Sequence, residues 1–174
     1  MEYYLKDLGH GFGTFIKITD WSEIKNNFLL NIGDNYIVFT LGLEEDMIIN
    51  EHTSNNENEE YNNLINLKIF SGNIRHGKLS FNPKQSPFII GRSPDCDVII
   101  DDSMLSRFHC TIKFIDSKWY IIDGTIDKNK NKVKPSTNGS WKYAFEETLI
   151  TNGMTFKANH NLFICSFSNW FNFY

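Results

Sequence analysis

The chain has 174 residues, 41% of them hydrophobic with 15 Phe and 4 Trp, and a formal net charge of −4. That length supports one full domain plus a second piece with a sizeable core, and Lys, Glu and Ala do not dominate as they would in a long helical bundle. The charge is uneven: residues 1–63 hold three Lys and no Arg against twelve acids, a net of −9, and residues 64–174 hold eleven Lys and three Arg against nine acids, a net of +5. A basic part beside an acidic one suggests an anionic ligand for the basic part, although ordinary surface variation produces the same asymmetry. Cys96, Cys110 and Cys165 are far apart, odd in number and without CxxC spacing. Neither a zinc site nor a disulfide framework is therefore expected, and a reduced intracellular protein, cytoplasmic or nuclear, is favoured. The N-terminus carries Glu2, Lys6 and Asp7 with no apolar signal region, and no apolar run approaches ~18 residues, so neither a signal peptide nor a membrane span is expected.

In chain order the apolar segments are short, β-branched or aromatic, and closed by turn residues, which predicts strands. Phe15–Ile18, Phe28–Ile32 and Tyr36–Leu41 come first, the last two joined by Gly33-Asp34-Asn35, a good hairpin loop. Glu44-Glu45-Asp46 then breaks the pattern, and residues 50–63 are acidic and rich in Asn, which reads as a flexible linker. Met47-Ile48-Ile49 is compatible with a short strand or turn. Strands resume at Leu64–Phe70, Lys78–Phe81, Phe88–Ile90, Val98–Ile100, Cys110–Ile115 and Trp119–Ile122. Ser140–Lys142, Thr148–Ile150, Thr155–Lys157 and Leu162–Phe167 complete the series, and nothing offers a sustained helical stripe. About ten short strands at this spacing predict an all-β sandwich.

The informative segments are the loops between these strands, because loops on a rigid sandwich can gather at one end. Gly91-Arg92-Ser93 follows a strand, Ser103–His109 joins two strands, and Thr125–Gly139 is a long polar connection ending Ser136-Thr137-Asn138-Gly139. Each has an ordinary reading: Arg92 as a surface partner of Asp95 or Asp97, Ser106 as a turn-capping hydroxyl, Asn138-Gly139 as a plain turn. The alternating Lys128, Lys130, Lys132 and Lys134 read as a solvated loop or as a positive field favouring acidic partners; aromatic interleaving and arginine enrichment, expected for nucleic acid, are missing.

Taken in order, Phe88–Asp102 with its Gly91-Arg92, Leu105-Ser-Arg-Phe-His109, Trp119–Gly124 and Ser136-Thr-Asn-Gly-Ser-Trp141 resemble the forkhead-associated (FHA) domain family, across residues 64–168. The resemblance implies an FHA-type sandwich of two sheets that binds phosphothreonine peptides through its end loops. It implies that Arg92 contacts the phosphate, consistent with the planar donor fork of guanidinium. By position, Ser106 is similar to a serine that donates to phosphate, Arg107 to a side chain on phosphate or peptide backbone, and Thr137 and Asn138 to the pair that touches phosphate and peptide backbone. Gly91 and Gly139 support the loops, and His109, tempting as a base or ligand, is similar to a buried histidine that fixes loop shape. Ser140 stands where the family usually has threonine, and the Gly124–Pro135 connection is longer than typical.

Residues 4–18 and 30–39 more loosely resemble the back half of a second FHA sandwich, with Phe12 where the complete copy has Asn138. The expected organisation is thus a partial FHA-like β unit at 1–49, a linker at 50–63, a complete domain at 64–168 and a tail at 169–174. No nucleophile–base pair, paired carboxylates or phosphate loop stands out. The expectation is a non-catalytic phosphothreonine-peptide reader, with no cofactor, metal, nucleic-acid or membrane partner; the alternative is a structural or assembly module that no longer reads phosphate.

Overall fold

The computed structural model describes residues 2–42, 63–71, 74–127 and 132–167. The Met47–Ile49 segment, residues 50–62 of the expected linker, Lys128, Lys130 and the 169–174 tail lie outside them. The described residues form strands and no α-helix. In chain order these are β1 (Tyr4–Leu5), β2 (Thr14–Lys17), β3 (Ser22–Glu23), β4 (Phe28–Ile32), β5 (Asn35–Leu41) and β6 (Ile65–Ser71). Then come β7 (Ile74–Phe81), β8 (Phe88–Gly91), β9 (Val98–Ile99), β10 (Cys110–Ile115), β11 (Lys118–Asp123) and β12 (Thr125–Asp127). The last are β13 (Lys132–Lys134), β14 (Ser140–Tyr143), β15 (Thr148–Leu149), β16 (Thr155–Ala158) and β17 (Asn161–Ile164). By packing the chain divides into two compact units, Ile18–Ser140 and the paired terminal segments Met1–Lys17 with Trp141–Tyr174.

The central unit is a β-sandwich. One sheet runs in the order β3-β11-β10-β8-β9, antiparallel except for the parallel β8–β9 pair. The other runs β4-β5-β6-β7, all antiparallel. Strand side chains alternate between faces, and β5 shows the consequence: Ile37 and Phe39 are fully buried, Tyr36 is exposed and Val38 half-buried. Phe39 and Leu67 from one sheet share a core with Phe88, Ile90, Ile112, Trp119 and Ile121 from the other. Phe88 stacks on Phe81 at 4.1 Å between ring centroids and meets Trp119 edge-on at 5.8 Å.

The β4–β5 hairpin turns on two residues, Gly33-Asp34, since Ile32 already pairs with Asn35. Gly33 has φ +54°, and a Cβ there would lie 2.5 Å from the Asp102 carboxylate, so glycine is required twice over. Asn35 opens β5 as a buried residue and donates its amide to Asp102 at 2.7 Å. The strands β3, β4 and β5 belong to the central unit: β5 pairs with β6 along its whole length and β3 pairs with β11. The boundary expected after residue 49 therefore falls between two hydrogen-bonded neighbours of one sheet.

In the terminal unit β2 is hydrogen-bonded to both β14 and β16, β16 pairs with β17, and β1 pairs with β15. Tyr143 donates its hydroxyl to Asp7 at 2.6 Å, which holds the Asp7 carboxyl below its usual range. Lys157 sits 4.8 Å over the Trp141 ring, and its burial lowers its pKa.

The core makes unequal demands on its residues. Phe39→Ala should cost about 3–5 kcal/mol in urea denaturation, the usual range for a buried Phe truncated to Ala. Ile99→Ala, at a position 56% exposed, should stay within about 0.5 kcal/mol. Equal small losses would contradict the assigned core.

Candidate functional site

Register sets the site's location. Cys110 pairs with Ile90 on one side and with Asp123 on the other, so the chain leaves β8, enters β10 and leaves β11 at the same end of the sheet. The first loop leaves β8 at Gly91. The Arg92 N–H donates to the Ser106 carbonyl at 3.2 Å and the Ser93 N–H to the Arg107 carbonyl at 3.0 Å. A Cβ on Gly91 would stand 2.3 Å from the Arg107 carbonyl oxygen, well inside contact distance. Glycine at 91 is what lets the two loops lie together. The Cys96 thiol donates to the same Arg107 carbonyl at 3.1 Å.

The second loop, between β9 and β10, is held from within. Asp102 accepts the Met104 N–H at 2.7 Å and the Asn35 amide at 2.7 Å, tying the loop to the β4–β5 hairpin. Leu105 is buried in the core, which leaves Ser106 and Arg107 at the turn above it. His109 is fully buried: its Nδ1 accepts the Ser106 N–H at 3.1 Å and its Nε2 faces the Gly139 carbonyl at 3.2 Å. A carbonyl needs a donor and an N–H needs an acceptor, so the neutral ring with its proton on Nε2 satisfies both. Burial holds this imidazole below its ordinary pKa of 6.5, and the Gly139 carbonyl, Asp123 and Asp102 oppose that only in part.

The third loop precedes β14. Asp123 is buried and fully partnered: it accepts the Ser136 hydroxyl at 2.6 Å, the Ser136 N–H at 3.1 Å and the Ser140 hydroxyl at 2.8 Å. Gly139, at φ +78°, closes the turn and donates its N–H to the Ser136 hydroxyl at 2.9 Å. The turn presents Thr137 and Asn138 to solvent. Thr137 donates its N–H to the Ser106 Oγ at 2.9 Å, and Ser106 donates to the Thr137 Oγ1 at 3.2 Å. The Asn138 amide donates to the Met104 carbonyl at 2.7 Å.

The structure thus joins Ser106 directly to Thr137, places Asn138 on the Ser106 loop and lays the Arg92 backbone against Ser106. Arg92 and Arg107 are exposed. Among the described residues neither guanidinium makes an ion pair or hydrogen bond, while Asp95 accepts the Ser93 hydroxyl and Asp97 the Ile89 N–H. The Arg92 pairing with Asp95 or Asp97 that sequence left open is not what those carboxylates do. What Arg107 contributes to the loop itself is its carbonyl, not its side chain. Burial pushes the Cys110 and Cys96 thiols up, so neither is a thiolate at neutral pH. Sequence reasoning missed Asp102, Asp123 and Ser136 as supports. The available signal was one acid ending an otherwise apolar strand, Trp119–Ile122, ahead of Gly124.

β8, β10, β11 and the three loops all fall within one sequence interval. Residues 88–142 match the FHA domain. An FHA domain implies phosphopeptide-mediated protein interaction in general. The match does not extend to residues 1–43. A 67-residue stretch is 36% identical to the serine/threonine-protein kinase RAD53 of Saccharomyces cerevisiae, covering 35% of this chain but 8% of that protein. The chain corresponds to a small part of that kinase's length, and the activity in its name belongs to that protein. No solved structure matches the chain. Among the described residues, no helix is long and apolar enough to cross a membrane.

The buried imidazole gives these loops a pH dependence. Its folded pKa is lowered, so its stabilising effect is complete above the unfolded value of 6.5 and is lost as pH falls below that toward the folded pKa. Denaturant unfolding from about pH 7.5 to about pH 5.5 should show a loss of stability in the wild-type chain that is smaller in His109→Gln. Parallel curves for the two would contradict the neutral, bridging imidazole.

Proposed function

We propose that the chain is a non-catalytic reader of phosphothreonine on a protein partner. The observation that carries this reading is the Ser106 hydroxyl, fixed against the Thr137 N–H, with the uncommitted, exposed guanidinium of Arg92 on the adjoining loop. A phosphate brings roughly −1.5 to −2 charges and three acceptor oxygens. Guanidinium meets two of those oxygens in a planar fork. The Ser106 and Thr137 hydroxyls can turn outward to donate to a third, exchanging their mutual bond for charge-assisted ones. Asn138 is placed beside them to bond the backbone of an extended peptide, and Arg107 adds positive field. Nothing in this constellation activates water or a leaving group; it binds. Kinase-marked partners of this kind fit an intracellular chain, cytoplasmic or nuclear.

Isothermal titration with matched phosphothreonine, phosphoserine and unmodified peptides tests the proposal. Binding should require the phosphate and favour threonine, and Arg92→Ala should weaken it by at least about 10-fold, as expected for loss of a charge-assisted bidentate contact. Equal affinity for all three peptides, or full binding by Arg92→Ala, would sink it.

One observation favours the second reading, an assembly module. β17 ends its sheet among the described residues, and Leu162 and Ile164 on it are 61% and 70% exposed. Sedimentation showing self-association that Arg92→Ala leaves unchanged, together with no phosphopeptide binding, would establish that reading instead.

A further inference from the structure

The two strands that lead into the third loop form a ribbon of their own, β12 paired with β13, with Ile126 opposite Val133 and Asp127 opposite Lys132. Its base is rigid. Gly124, at φ +89°, packs so closely on Lys134 that a Cβ would lie 2.0 Å from the Lys134 carbonyl oxygen. The Gly124 N–H donates to the His109 carbonyl at 2.7 Å, and its own carbonyl accepts the Thr111 hydroxyl at 2.8 Å. Lys134 is therefore seated on the same framework that shapes the Ser106–Thr137 pair. Thr137 lies three positions further along the chain, at most ~11 Å when extended, which is close to the Debye length of ~10 Å at about 0.1 M salt. Lys132 stands two residues earlier, on the same face of β13 and ~7 Å away.

Both lysines are exposed, and among the described residues neither has a hydrogen bond or ion pair. With Arg92 and Arg107 they make four uncommitted cations around these loops. The acids of the same region are mostly turned to internal work. Asp123 holds Ser136 and Ser140, Asp102 holds Met104 and Asn35, Asp97 holds the Ile89 N–H and Asp95 holds Ser93. Asp101 is exposed and Asp127 lies across from Lys132, so the surface is not purely positive, but Arg92, Arg107, Lys132 and Lys134 are all exposed on it.

We propose, resting on the phosphothreonine reading above, that the phosphorylated residue is read within an acidic segment, with Lys132 and Lys134 selecting Asp or Glu on one flank. An extended peptide advances ~3.3 Å per residue, so a ribbon that begins within ~11 Å of the phosphate-binding loops meets side chains a few positions from the phosphothreonine. The ribbon supplies point charges on flexible stems and no rigid fork. The preference is for negative charge along a stretch, not for one residue at one position, and it weakens as salt is added.

The test uses the full chain and three phosphothreonine peptides that differ only in flank: acidic, Asn/Gln and Lys. Lys132→Ala/Lys134→Ala is run beside wild type and Arg92→Ala, with folding checked by circular dichroism. Wild type should prefer the acidic flank over the neutral one by about 3- to 10-fold in low salt, and the preference should collapse in the double lysine variant and near ~0.5 M salt. Arg92→Ala should lose all three peptides alike. Wild type binding acidic and neutral flanks equally would overturn the inference while leaving the phosphothreonine reading intact, as would a preference that survives the double variant. No binding of any phosphopeptide by wild type would overturn both. A single-stranded oligonucleotide of matched charge binding as tightly as the acidic peptide would reassign the ribbon to nucleic acid.

Discussion

One uncharged ring holds the loop end of the central sandwich together. His109 is buried, accepting the Ser106 N–H with one nitrogen and facing the Gly139 carbonyl with the other. Those two backbone groups, the Ser106 N–H and the Gly139 carbonyl, belong to different loops, and a buried ring that serves both satisfies polar groups that are costly to leave unpaired. Because the ring must stay neutral to accept at Nδ1, the same contact that positions Ser106 also makes its position sensitive to acid. The Gly91 close approach adds the third loop, since only a residue without Cβ can bring Arg92 against Ser106. Binding by such a site needs little reordering, which lowers the entropy lost on association.

Around this ring, charged groups divide by role. The carboxylates of Asp123, Asp102, Asp97 and Asp95 accept from backbone N–H groups, hydroxyls and the Asn35 amide, and the side chains of Arg92, Arg107, Lys132 and Lys134 are exposed with no hydrogen bond or ion pair among the described residues. The proposed anion site needs no net positive chain, and the chain's formal charge is in fact −4. Whole-chain charge would have pointed the other way; the local disposition is what matters for a ligand.

Much of this was legible in the sequence because the loops carry their own punctuation. Gly91 before Arg92, the Ser106 to His109 spacing, and Asn138-Gly139 are short-range signals, and the structure brings them to one end of the sheet. The all-β class was legible for the same reason, as each strand is short, apolar and closed by a turn. Long-range support was not legible. Nothing local to Asp102 says that it will reach Asn35, 67 residues away, and nothing local to Asp123 says that it will hold Ser136 and Ser140. Asn35 looked like part of a turn because asparagine usually is, yet it opens a strand and is buried there. The pairing of β5 with β6 across the acidic stretch is likewise a tertiary fact: sheet neighbours are chosen by registry and burial, which composition does not encode.

The central claim is that one preorganised loop end binds the phosphorylated residue. The most direct measurement is amide NMR of the full chain titrated with a phosphothreonine peptide and with its unphosphorylated twin. The account predicts that phosphate-dependent shifts concentrate at residues 91–93, 104–109 and 136–139, with the His109 ring keeping its Nε2–H tautomer throughout. Shifts centred on another surface, or identical shifts with the unphosphorylated peptide, would contradict it.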